Sequence, residues 1–271
     1  MISPVPSLTE KYGALQRLFH SMGSTVVAFS GGIDSTLVLK VAFDTLGKKV
    51  LAITAISPTF PASELTTVQH LSHEIGAPLR VIETNQLAIE AFVQNDAGRC
   101  LHCKTDLYQA LDPIRQEMAF QTIVDGTNMD DLKDDRPGIQ AARRLGVRSP
   151  LVEAGLGKSD IRELAKGLGL SNWNKPAAAC LSSRIPRGIT ITRERLSRVE
   201  QAEALLLKEG FTHLRVRDYH PTARIEVHPG EFAFFLDEQR RHRIVEGFKA
   251  IGFRFVTVDM EGYRAGSANS G

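Results

Sequence analysis

Cysteine is scarce in this 271-residue chain, which carries Cys100, Cys103 and Cys180 and no others. An odd, small number argues against a disulfide framework and leaves metal ligation or sulfur chemistry as what those thiols can do. A surplus of charge is lacking too. The 33 Lys and Arg against 31 Asp and Glu leave a net charge of +2, so no global field draws the chain to nucleic acid or an anionic membrane. No apolar run approaches the roughly 18–20 residues of a membrane helix. Met1-Ile2-Ser3-Pro4-Val5-Pro6 shows no charged-then-apolar leader pattern. A cytoplasmic protein without a membrane partner is the expectation. No internal repeat is present. Apolar residues are plentiful, at 42%, enough for a real core in one large domain or two modest ones.

The most informative segment is Ser30-Gly31-Gly32-Ile33-Asp34-Ser35-Thr36, directly after the apolar run Val26-Val27-Ala28-Phe29. A buried-strand pattern breaks into a glycine-rich loop, and an amphipathic helix follows with Leu37, Val38, Val41, Ala42 and Leu46 on its apolar side. Such a loop presents backbone N–H groups and a positive dipole end to an anion. Glycine lets the backbone approach a phosphate where a side chain would collide. Asp34 beside a phosphate makes sense if magnesium lies between them. The loop lacks the Lys-Ser/Thr of a Walker A sequence. It resembles instead the pyrophosphate loop of the PP-loop ATP pyrophosphatases, which split ATP into AMP and pyrophosphate. The bland alternative is a plain strand-to-helix turn.

The first half alternates strand and helix patterns. Strands are expected at 48–54, 79–83 and 122–125, with a helix over 61–75 ended by Gly76. Alternation of this kind implies a parallel α/β sheet with ligands beyond the carboxyl ends of its strands. The loops at 30–36, 55–60 and 125–136 fall on that edge. A second region starts near 186, after a hinge at Pro186-Arg187-Gly188, and reads helix 192–208, strands 213–219 and 223–227, helix 231–250 and strand 254–258. Two domains are therefore expected: 1–185, holding the ATP loop, and 186–271, a smaller α+β domain for substrate binding and oligomerisation. The tail from Ala265 is small and polar and reads as disordered.

Cys100-Leu101-His102-Cys103 has ligand spacing for a metal or cluster; two unliganded helix cysteines are the alternative. Cys180 lies in Pro176-Ala177-Ala178-Ala179-Cys180-Leu181-Ser182-Ser183-Arg184, where Arg184 and a nearby helix start would favour a thiolate; an inert buried thiol is the alternative. Asp125-Gly126-Thr127-Asn128 follows the fourth strand, with Gly126 letting a nucleotide approach and Asp125 and Asn128 able to reach ribose or base. Arg136 can pair with a phosphate. Asp130 and Asp131 read as a solvated loop. Arg215 and Arg217 share one face of a strand, which calls for an anion between them, or for pairing with Glu226 on the neighbouring strand.

Together these segments resemble one family, the LarE ATP-dependent sulfur transferases of nickel-pincer nucleotide cofactor synthesis. The likeness rests on VAFSGGIDSTLVLK at 27–40, DDRPG at 134–138, LGLSNWNKPAAACLSSR at 168–184, RVRDYHPTARIEV at 215–227 and GFRFVTVD at 252–259. The resemblance implies a PP-loop domain (adenine nucleotide alpha hydrolase-like) followed by a small oligomerising domain, assembled as a hexamer. It implies pyridinium-3,5-biscarboxylic acid mononucleotide as substrate, with ATP and Mg2+ to activate each carboxylate before conversion to a thiocarboxylate. Carried over, Ser30, Gly31, Gly32, Asp34 and Ser35 hold pyrophosphate and magnesium. Ala55, Asp125, Gly126, Asn128 and Arg136 lie near the nucleotide. Ser183, Arg184, Arg215 and Arg217 meet the substrate phosphate. The sulfur-donating cysteine of sacrificial members falls at the position of Ala179, one before Cys180. Cys100 and Cys103 instead resemble the three-cysteine subgroup, in which Cys100, Cys103 and Cys180 hold a 4Fe-4S cluster that passes on sulfur from a donor. Competing readings are sacrificial transfer from Cys180, a PP-loop amide ligase, a tRNA thiolase, and a non-catalytic adenylate or metal sensor.

Overall fold

The computed structural model describes residues 6–133, 137–175 and 180–264. In chain order they form α1 (Leu8–Met22), β1 (Thr25–Ala28), α2 (Ile33–Leu46), β2 (Val50–Ile56), α3 (Ala62–Ile75), β3 (Leu79–Glu83), α4 (Glu90–Val93), α5 (Arg99–Glu117), β4 (Thr122–Val124), α6 (Pro137–Arg144), α7 (Pro150–Glu153), α8 (Lys158–Gly167), α9 (Arg193–Lys208), β5 (Leu214–Tyr219), β6 (Thr222–Val227), α10 (Glu238–Ile251) and β7 (Phe255–Val258). They divide into two compact units. The first comprises Met1–Ser57, Ala62–Gln86 and Cys100–Ala178, the second Pro58–Pro61, Leu87–Arg99 and Ala179–Gly271.

The first unit is α/β. Its sheet runs β3-β2-β1-β4 with every pair parallel. The central strands are apolar along their length because helices cover both faces: Thr25, Val26 and Val27 of β1 and Val50 to Thr54 of β2 are buried. Edge strand β3 is largely exposed. One side of the core gathers Val26, Leu51, Ile53 and Ile123 of the strands against Tyr108, Leu111 and Ile114 of α5. All four strands expected in this half form within two residues of their anticipated ends. Helix α1 carried no strong signal, and its Ser7 capping box with Glu10 is what starts it.

In the second unit β5 pairs antiparallel with β6, and β6 parallel with β7. Helices α9 and α10 contribute Ala202, Leu206, Ile244 and Phe248 to a core closed by Phe211, Val216, Ile225 and Phe253. The helix expected over 231–250 is shorter and later. Pro229–Leu236 is a 3-10 segment, and α10 starts only at Glu238, where the Asp237 side chain accepts from the Arg240 N–H at 2.7 Å.

A single cut at 185/186 does not describe these units, because two segments of the first half belong with the second. Asn95 is buried in the left-handed region at φ 58°, a conformation asparagine tolerates. Its Nδ2 donates to the carbonyls of Ile185, Pro186 and Ile189 at 3.3, 2.8 and 3.0 Å. The Leu181 N–H donates to Thr59 O at 3.0 Å. Three carbonyls that share the two N–H groups of one amide bind 87–99 to the segment after Cys180. Asn95→Ala removes these bonds, of which the one to the Ile185 carbonyl is buried, and should cost about 1–3 kcal/mol, read as a lower urea midpoint. In the other core, Phe248→Ala should cost about 3–5 kcal/mol by the same assay.

Candidate active site

In the first unit the loop after β1 is closed by its own hydroxyls. The Ser30 N–H donates to Ser35 Oγ at 3.3 Å, and the two hydroxyls lie 3.2 Å apart. Ser35 Oγ and Thr36 Oγ1 both donate to Gly32 O, at 3.0 and 2.9 Å. Gly31 has φ +73°, and a Cβ there would come within 3.0 Å of Val68 Cγ2 on α3, so both conformation and space demand glycine. Below the loop, buried Asn172 donates from Nδ2 to Gly31 O at 3.2 Å and to Thr36 Oγ1 at 2.9 Å. No local pattern singles out Asn172 within the segment 168–184. The structure makes it the brace that sets the loop.

Asp34 stands in the first turn of α2, and both of its oxygens accept from Lys158 Nζ, at 2.7 and 2.6 Å. Burial pushes the Asp34 carboxyl above its usual range, with Lys158 opposing and Asp131 adding to the rise. Lys158, the first residue of α8, was not anticipated; its one sequence signal is a lysine opening a helix directly after Gly157.

The β4 loop is tied down more tightly than the sequence suggested. Asp125 is 2% exposed. Its carboxylate accepts from Tyr108 OH, Thr127 Oγ1 and Ser149 Oγ, each at 2.8 Å, and from the Thr127 N–H at 3.1 Å. These bonds make Asp125 the organiser of the loop. Burial and the Asp125 charge push the Tyr108 hydroxyl above its ordinary range, and Cys103 adds to the effect. Gly126 permits a close approach, but to protein: a Cβ would lie 2.8 Å from Ser35 N and 3.1 Å from Asp34 C. Asn128 is buried and its Oδ1 accepts from the Asp130 N–H at 2.9 Å. Asp130 and Asp131, expected to be solvated, are engaged. Asp130 Oδ2 accepts the Lys158 N–H at 2.6 Å and Asp131 Oδ2 the Asn128 N–H at 3.1 Å. Ala55 lies near the carboxyl end of β2, paired with Ile82. Arg136 falls outside the described residues, as do 176–179 with the Ala179 position.

Cys100 and Cys103 lie one turn apart in the first turns of α5, on one face of the helix. Cys100 is exposed and Cys103 half-buried. A Cβ at Gly138 would come within 3.1 Å of Lys104 Cγ and 3.5 Å of Cys100 O, so α6 starts against this pair. Two accessible thiols at this spacing suit one edge of a metal or cluster site. No group of three or more His, Cys, Asp or Glu suited to a metal ion occurs among the described residues. For magnesium the donor set fits a different pattern, one carboxylate completed by phosphate oxygens, which Asp34 satisfies.

The second unit gathers an arginine cluster around the turn Leu181–Arg184. Cys180 is exposed, and its carbonyl accepts from Ser183 Oγ at 2.8 Å and Arg184 Nη1 at 3.2 Å. Arg184, 3% exposed, grips Glu203 bidentately at 2.9 and 3.0 Å. Its guanidinium thus reaches the Cys180 carbonyl and Glu203. Glu203 Oε1 also accepts the Val216 N–H at 3.0 Å, tying the pair to β5. Arg217 grips Glu226 bidentately at 2.9 and 3.0 Å and donates to Ser183 O at 2.6 Å. Glu226 stands opposite Arg215 in register yet serves Arg217 and Arg224. Arg215 lies over the Tyr263 ring, 5.0 Å from its centroid. Burial lowers its affinity for a proton, and the charges of Arg184 and Arg217 lower it further. The structure therefore brings Ser183, Arg184, Arg215 and Arg217 together. Glu203 and Glu226 each pair with one of these guanidinium groups, so the charge of the cluster is partly offset.

Chain-wide likeness matches these local features. A protein of Synechocystis sp. described only as uncharacterized is 41% identical over 262 residues, 97% of this chain and 98% of that protein. The pyridinium-3,5-bisthiocarboxylic acid mononucleotide synthase of Lactiplantibacillus plantarum is 37% identical over 267 residues, 97% of this chain and 95% of that protein. The chain belongs to the LarE family. An uncharacterized protein of Methanocaldococcus jannaschii is 31% identical over 240 residues, 89% of this chain and 90% of that protein. No family model matches. Membership makes the chain an enzyme. Among the described residues no helix is long and apolar enough to cross a membrane.

Two substitutions test the geometry. Gly126→Ala forces the β4 loop off the first turn of α2 and should weaken ATP binding at least about tenfold in calorimetry. Glu226→Gln removes the charge of a carboxylate that is 1% exposed and grips Arg217. It should cost about 3–5 kcal/mol of stability in urea unfolding.

Proposed function

We propose that this enzyme is an ATP-dependent sulfurtransferase acting on pyridinium-3,5-biscarboxylic acid mononucleotide. The observation that carries the reading is the hydroxyl-closed SGGIDS loop at the start of α2, in a chain alike along nearly its whole length to a bisthiocarboxylate synthase. A carboxylate is a poor electrophile because its oxygen leaves badly. Attack of the substrate carboxylate on the α-phosphorus of ATP forms an acyl adenylate and releases pyrophosphate. AMP then becomes the leaving group. A sulfide-level nucleophile forms the C–S bond as the C–O bond to AMP breaks, and two rounds give the bisthiocarboxylate.

In this reading Ser30, Gly31, Gly32 and Ser35 line the pyrophosphate site at the start of α2, where the N–H groups not spent within the loop offset developing charge. Asp34 holds Mg2+, which when bound screens the phosphates. Ala55, Asn128 and Arg136 border the nucleotide, with Asp125 and Gly126 setting the shape of that border. Ser183, Arg184, Arg215 and Arg217 take the substrate phosphate. The region 186–271 serves as the substrate-binding and oligomerising part. Cys100, Cys103 and Cys180 hold a 4Fe-4S cluster, which when bound supplies the sulfur. The paired thiols of α5 support that choice over loss of sulfur from Cys180. A cytoplasmic homo-oligomer, a hexamer by family likeness, and a separate sulfur donor complete the proposal.

Anaerobic enzyme given ATP and the biscarboxylate should form AMP and pyrophosphate together with the thiocarboxylate. Asp34→Asn should lower AMP formation by about 100-fold or more. Release of ADP overturns the reading. The same preparation should hold about four irons per chain, lost together with multiple turnover on Cys100→Ser or Cys103→Ser. Multiple turnover that survives those changes removes the cluster. A loss of hydrogen sulfide mass at Cys180 would then assign the sulfur to that residue.

A further inference from the structure

The Asp34–Lys158 contact has a consequence for the order in which ligands enter. Both Asp34 oxygens are engaged by one ammonium, at 2.7 and 2.6 Å. They are the same oxygens a divalent cation needs. The Lys158 backbone is held independently of its side chain. Its N–H donates to Asp130 Oδ2 at 2.6 Å, and its helix is secured two residues on by Lys11 Nζ on Asp160 Oδ2 at 2.7 Å. The Lys158 side chain, 30% exposed, meets an Asp34 side chain that is 25% exposed. A four-carbon stem on a fixed helix start can therefore swing without disturbing the loop. The Gly126 contact, in turn, fixes the backbone of Asp34. Of the two partners, it is the lysine that can leave.

We propose that Lys158 is a positioning residue that occupies the Asp34 carboxylate before nucleotide binds, so that a divalent cation takes this carboxylate only when it arrives with a triphosphate. The metal delivered with the nucleotide then displaces the ammonium, which turns to the phosphate oxygens. This rests on the ATP reading above. It adds an order of binding: metal and nucleotide enter together, and free metal is refused. A lysine that merely braces Asp34 makes the opposite prediction, since its removal would loosen the carboxylate and weaken any metal bound there.

The test is a Mn2+ titration of the full chain followed by electron paramagnetic resonance, without nucleotide. Lys158→Met should bind Mn2+ about tenfold tighter than the unaltered enzyme, the gain expected when a competing cation leaves a largely buried carboxylate. Lys158→Arg should bind it as weakly as the unaltered enzyme, and Asp34→Asn added to Lys158→Met should abolish the gain. With a non-hydrolysable ATP analogue, the unaltered enzyme should gain more in Mn2+ affinity than Lys158→Met does. If Lys158→Met lowers the unfolding midpoint markedly, Lys158→Gln carries the same expectation. Mn2+ affinity in Lys158→Met and Lys158→Gln equal to or below that of the unaltered enzyme overturns the proposal. Because no turnover is read, this failure is distinguishable from failure of the AMP assay.

Discussion

The close contact between the loop after β4 and the first turn of α2 is the constraint on which the first unit's site depends. At Gly126 the two backbones approach so nearly that a methyl group would strike Ser35 N. Everything at the α2 N-terminus is referred to that contact. It fixes the backbone of Asp34 and Ser35, and through Ser35 Oγ it fixes the turn at Ser30 and Gly32. On the far side, Asn172 takes up the Gly31 carbonyl. A loop pinned from both sides presents its remaining N–H groups without having to order them at each binding event, which is what makes preorganised donors effective against developing charge.

Buried polar groups provide the stiffness. Asp125, with four donors on one carboxylate, is a satisfied network at the carboxyl end of β4, and satisfied networks specify a single arrangement where apolar packing would tolerate several. The second unit uses the same device with opposite charge. Arg184 and Arg217 reach the Cys180 and Ser183 carbonyls, and Glu203 and Glu226 hold both in fixed orientations. Bidentate pairing costs the guanidinium groups their freedom and fixes where their remaining donors point. The two units thus offer surfaces of different kinds. One is built of backbone amides, hydroxyls and a carboxylate. The other is built of guanidinium groups on a strand and a turn, beside an exposed cysteine.

Much of this was legible in the order of residues. The strand–loop–helix at 25–46, the parallel sense of the first sheet and the α-β-β-α-β order of the second unit follow from hydrophobic period and turn residues. Those signals are local, and they act within a turn of helix or a pair of strands. The arginine alternation at 215 and 217 placed both side chains on one face, as found. Where the reading went astray, the cause was a partner across the chain or a local cap that apolar period does not report. Asp130 and Asp131 read as solvated because their partners, a helix start and a loop amide, are set only by folding. The helix expected from 231 starts at Glu238 because the Asp237 cap and the 3-10 run before it outweigh apolar period. Residues 58–61 and 87–99 join the second unit through Asn95 and Thr59, whose bonds no local pattern announces.

The sequence by itself determined which chemistry the chain carries: a loop of glycines and hydroxyls, one aspartate in its helix, two cysteines a turn apart, and arginines on alternate positions. Those properties depend on residue type and on spacings of two to four residues, which backbone geometry converts directly into shared faces. Tertiary structure decided the partners. It set Lys158 on Asp34 across 124 positions, Asn172 under Gly31 across 141, and Glu203 rather than a nearer acid on Arg184. Which groups meet across such separations is settled when the sheets and cores close, because packing is a property of the folded whole and is written in no short segment of the chain.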